Sequence, residues 1–123
     1  MIVLNSLVCL LMLMFALAQY NDPDPWLWAT IYGIPALWAG LTAAVPTLTR
    51  RKGARLLLGL CIALALVGVG FYWPDVPGFW KPAIWWHGDL AMTTSQAELA
   101  REGMGMMITL VALLITYLSH PRR

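Results

Sequence analysis

Arg50-Arg51-Lys52-Gly53-Ala54-Arg55, followed by LLLGLCIALALVGVGFYW over residues 56–73, sets four cations against eighteen residues without a charge. A helix needs about 20 apolar residues to cross the hydrocarbon of a bilayer. The run therefore predicts a membrane span over 55–73, stopped by Pro74, which cannot donate a backbone hydrogen bond. Lys and Arg are retained on the cytoplasmic side of a span, whereas carboxylates are far less constrained. The cluster thus reads as a loop that stayed inside.

The same sorting extends along the chain. Arg122 and Arg123 close a second basic segment with His120, and all six acidic residues (Asp22, Asp24, Asp75, Asp89, Glu98, Glu102) fall in the segments that alternate with the basic ones. Spans over about 1–19, 25–48, 55–73 and 95–119 satisfy this alternation. The expectation is an all-α integral membrane four-helix bundle, one transmembrane domain over 1–123, with both termini cytoplasmic. Arg50, Arg51, Lys52 and Arg55 are its topology determinants.

Composition agrees. The chain is 60% hydrophobic and 11% charged, with a mean hydropathy of +0.70, whereas a soluble domain carries about 25% charged residues. At 123 residues, four spans and three connections leave no length for a soluble domain. The net charge of +2 sums two faces of opposite sign and gives no reason to expect a nucleic-acid partner. Ala16-Leu17-Ala18 has the small-residue form of a signal-peptidase site, but no cationic stretch precedes it, so the first span reads as uncleaved.

Packing signals follow from small residues. Ala36, Gly40 and Ala44 recur every four residues in the second span, and Gly103 and Gly105 open the apolar part of the last. Such positions let helices approach closely where lipid removes the hydrophobic drive for association. Met104, Met106 and Met107 read as gap fillers. Cys9 and Cys61 lie in different spans without redox spacing and read as apolar packing residues. Pro35 predicts a kink. Of the seven tryptophans, Trp26, Trp28, Trp73, Trp80, Trp85 and Trp86 lie toward the acidic side, as an interfacial belt would. Trp38 is the deep exception.

Chemistry, if present, belongs to the acidic side. In Asn21-Asp22-Pro23-Asp24-Pro25 the prolines stiffen a turn that holds two carboxylates. Asp24 also suits the N-cap of a helix whose first residue is Pro25. Oxygens of Asn21, Asp22 and Asp24 are the kind a hard cation prefers, but three make an incomplete shell. The other acidic connection could add His87 and Glu102. Ser95 and Glu98 form a capping box; Glu102 lies two turns in, where an ionisable group needs a partner. Lys81, His87 or the Asn21–Asp22 turn are the candidates. The expectation is one polar cluster on the outer face. No particular metal or cofactor is implied, catalytic and nucleotide motifs are absent, and no span shows a polar stripe to line a pore.

Three strings together resemble the transmembrane 220 family of small four-helix membrane proteins. They are Gln19-Tyr20-Asn21-Asp22-Pro23-Asp24-Pro25, Trp28-Ala29-Thr30-Ile31-Tyr32-Gly33-Ile34-Pro35-Ala36, and Glu98-Leu99-Ala100-Arg101-Glu102-Gly103-Met104-Gly105. The resemblance implies fold and topology and carries over no catalytic residue. The functional expectation is a non-enzymatic, multi-pass inner-membrane protein. It would be an accessory or assembly subunit of a larger respiratory or photosynthetic complex, with the lipid bilayer and a membrane-protein partner or a second copy around it. The alternative is a ligand- or metal-binding membrane protein built on Asn21, Asp22, Asp24, His87 and Glu102.

Overall fold

A computed structural model describes residues 2–21, 25–75, 78–81 and 95–119. Among the described residues five α-helices follow one another: α1 (Ile2–Leu17), α2 (Pro25–Ala44), the single turn α3 (Pro46–Thr49), α4 (Lys52–Phe71) and α5 (Ser95–Leu118). A 3-10 turn, Ala18–Asn21, extends α1. Among the described residues there is no strand. Pro25–Ala44, Lys52–Phe71 and Ala97–Leu118 are each long and apolar enough to cross a membrane, while Ile2–Leu17 is apolar but shorter.

Prolines set the boundaries. Pro25 opens α2 at the position where its missing donor costs nothing. The expected span 25–48 is interrupted because the residue before a proline is driven out of the helical region: Val45 sits at φ −134°, ψ 67°. α2 therefore ends at Ala44, and Pro46 starts a new turn in which the Arg50 amide donates to the Pro46 carbonyl. Pro35 lies fully buried inside α2, which continues on both sides of it.

α5 is the central element, packing against α1, α2 and α4, while α1 and α2 pack on each other. One core cluster joins α1, α2 and α5 through Met12, Trp28, Tyr32, Ala36 and Met106. A second joins Trp38 of α2 to Leu58 and Ala65 of α4 and Leu113 of α5. α4 is peripheral. Only 11% of its span is buried, against 39% for α2 and 44% for α5.

The tryptophan belt divides. Trp28 is 1% exposed and belongs to the core, not to the interface, because it faces α5 from the first turn of α2. Trp26, two residues earlier, is 85% exposed, and Trp73 and Trp80 are exposed with it. Trp85 and Trp86 lie outside the described residues.

Candidate functional site

At the acidic end the 3-10 turn closes at Asn21, with the Gln19 side-chain amide donating to the Phe15 carbonyl at 2.9 Å. Asp22, Asp24, His87 and the side chains of Asn21 and Ser95 lie outside the described residues. The expected outer cluster and capping box fall there too. Glu98, Arg101 and Glu102 are half-buried on α5, and neither Arg101 nor Glu102 is without a partner. Among the described residues no three His, Cys, Asp or Glu side chains gather as metal ligands would.

What the structure does define, beside Gly103 and Gly105, is an aromatic wall. Trp28 and Tyr72 meet edge to face at 5.2 Å, and Tyr32 stacks obliquely on Phe15 at 5.6 Å. The wall stands against the glycines of α5. A side chain on Gly105 would run into the Tyr32 hydroxyl and, behind it, Trp28; one on Gly103 would strike the Pro74 ring and the Tyr72 carbonyl. Of the α2 series, Ala36 is buried and Gly40 would bring a Cβ to 3.1 Å from Cys9 Sγ. Ala44, the last residue of α2, is exposed. Cys9 and Cys61 are both free thiols, each packed against a different core cluster.

The opposite, basic end holds contacts that the sequence reading missed. Asn5 Nδ2 donates to Ser119 Oγ at 2.8 Å across 114 positions, and Ser119 Oγ donates to the Thr116 carbonyl at 3.1 Å. Thr109 and Thr116 follow Glu102 at intervals of seven residues, so α5 carries a polar stripe where the sequence reading expected none in any span. Both threonines are buried, and neither hydroxyl has a hydrogen-bond partner among the described residues. Their spacing was visible in the sequence, as was Asn5, a lone amide in an apolar helix, a type that seeks a partner helix.

The four cations separate into two kinds. Arg55 Nη1 donates to the Tyr117 carbonyl at 3.1 Å, with the guanidinium 3.8 Å from the centre of the Tyr117 ring. It thereby satisfies a carbonyl left open at the C-terminal end of α5. Arg50 Nε reaches the Pro46 carbonyl at 3.4 Å. Arg51 and Lys52 point outward, exposed.

Taken together, the long apolar helices and the ring-into-glycine seams define a small helical integral membrane protein. The model of transmembrane family 220 matches residues 11–118, and the chain belongs to that family. No curated protein and no solved structure matches it.

Proposed function

We propose that the chain is a non-enzymatic accessory or assembly subunit of a larger inner-membrane complex of respiratory or photosynthetic type. In this reading it is a four-helix bundle with both termini in the cytoplasm, serving by contact with a partner. The observation that supports it most is the exposed aromatic group at the acidic end, Trp26, Phe71, Trp73 and Trp80. Aromatic side chains of this kind are enriched where membrane proteins meet headgroups and where proteins meet each other. Beneath them the interior is occupied by rings fitted to glycines, an arrangement suited to holding shape.

Purification in mild detergent followed by mass spectrometry tests the role. A membrane-protein partner should co-purify with the wild type and be lost from Trp26→Ala/Trp73→Ala/Trp80→Ala, whose helix content should be unchanged. A monodisperse monomer from both would overturn the proposal. Topology is tested separately by a reporter fused after Arg123, expected in the cytoplasm. Replacing Arg50, Arg51, Lys52 and Arg55 by Gln should scramble orientation, because those four carry most of the charge bias.

A further inference from the structure

The exposed face of α4 begins at Gly53 and continues through Leu57, Leu60 and Leu64, residues three and four apart that share one side of a helix. All of them are exposed, and a Cβ built on Gly53 would meet nothing within 4 Å. The side of α4 that carries Leu58 and Ala65 is the buried one. At the head of the open stripe stand Arg51 and Lys52, also exposed, and the Arg51 side chain makes no capping hydrogen bond to α4. The first turn of α4 contains no carboxylate to offset them.

This is an apolar strip with cations at one end only. From Gly53 to Leu64 it rises about 16 Å, close to the roughly 15 Å depth of one leaflet, half of a 30 Å hydrocarbon core. We propose that this strip is a binding site for an anionic phospholipid. Its phosphate lies over Gly53 between the Arg51 guanidinium and the Lys52 ammonium, and an acyl chain runs along Leu57, Leu60 and Leu64. The chemistry of the occupant is set by charge complementarity at the head and by apolar contact along the length. Gly53 matters because a side chain there would stand where the phosphate approaches. Arg50 and Arg55 are not part of the site, since both guanidinium groups turn to backbone carbonyls.

The test uses full-length protein in a non-ionic detergent, where orientation in a membrane plays no part. Retention of phosphatidylglycerol and of phosphatidylcholine with identical chains is measured by native mass spectrometry. Near a membrane surface each Lys or Arg contributes about 1 kcal/mol toward an anionic lipid, so two give the wild type a preference of about 30-fold for phosphatidylglycerol. Arg51→Gln/Lys52→Gln should abolish it. Arg50→Gln/Arg55→Gln removes the same charge and should leave most of the preference in place. Millimolar inorganic phosphate should not displace the lipid, because it cannot use the strip. The proposal is overturned by a wild type without preference, by equal loss in the two double variants, or by full displacement with inorganic phosphate.

Discussion

Where α5 meets α2, a glycine faces a ring; where it meets α4, a glycine faces a thioether. Gly105 lies under the Tyr32 hydroxyl with Trp28 behind it, whereas Gly68 of α4 lies under the terminal methyl of Met106. Both contacts are closer than a Cβ would allow, yet they differ in what can yield. An aromatic ring buried among other rings has nowhere to go, so the first seam fixes a distance. A methionine has three rotatable bonds and re-packs readily, so the second seam tolerates adjustment. α5 is thus held rigidly on one side and loosely on the other, and the loose side is reinforced at its end by Arg55 on Tyr117.

Gly105→Ala should give the largest effect. Overpacking against a rigid neighbour costs about 1–3 kcal/mol, more than the ~1 kcal/mol gained by removing a glycine from a helix interior. Thermal unfolding in detergent should show a lowered Tm, partly restored by adding Tyr32→Phe. A Tm equal to wild type would mean that the ring swings clear and that the two seams do not differ.

Asn5→Leu should come next, since interhelical hydrogen bonds inside membranes average ~0.6 kcal/mol and reach ~1.7. Thr116→Val, one helical turn from Ser119, should by contrast leave Tm unchanged or slightly raised, its hydroxyl having no described hydrogen bond to lose. Comparable losses in both variants would show that the whole α1–α5 contact, not one hydrogen bond, carries the stability.

On the other side, Arg55→Lys keeps the charge but loses the planar group that stacks on Tyr117, a contribution of about 0.5–1 kcal/mol. Hydrogen exchange at the first turns of α4 should accelerate in Arg55→Lys and stay as in wild type in Arg51→Lys. Smallest of all is Gly68→Ala. Its Cβ displaces only a methionine methyl, and the expected change is within about 0.5 kcal/mol of wild type, with either sign allowed by the helix gain. A loss as large as that of Gly105→Ala would erase the distinction between the seams.

Element positions were legible because charges and prolines punctuate the chain. The basic loop, Pro25, Pro74 and Pro121 bracket the helices within a few residues. Pro46 is equally visible, but the apolar run that continues through Val45 to Leu48 hides its effect on the Val45 backbone. Partner faces were not legible. Leu57 is 53% exposed and Leu58 is 1% exposed, yet they are the same residue side by side. In a helix that is apolar all round, hydropathy cannot distinguish lipid from protein as the neighbour. Contacts such as Asn5–Ser119 and Arg55–Tyr117 span 114 and 62 positions and leave no local pattern. Trp28 shows the converse error, since membership of a tryptophan belt says nothing about which rings turn inward. For the acidic end, the motif names Asp22, Asp24 and His87, and those residues lie outside the described part.

The central place of α5 also has a consequence for how the protein is made. A ribosome releases α5 after α4, so α4 enters the bilayer before its principal neighbour exists. During that interval α4 must persist as an isolated span, and it is the most hydropathic of the three long helices. α5 carries Glu98, Arg101, Glu102 and two threonines into the same bilayer, a heavier polar load. It can do so because α1, α2 and α4 are already waiting to receive those groups. Between these two helices insertion therefore follows self-sufficiency: α4, which needs less help, goes in before α5, which needs more.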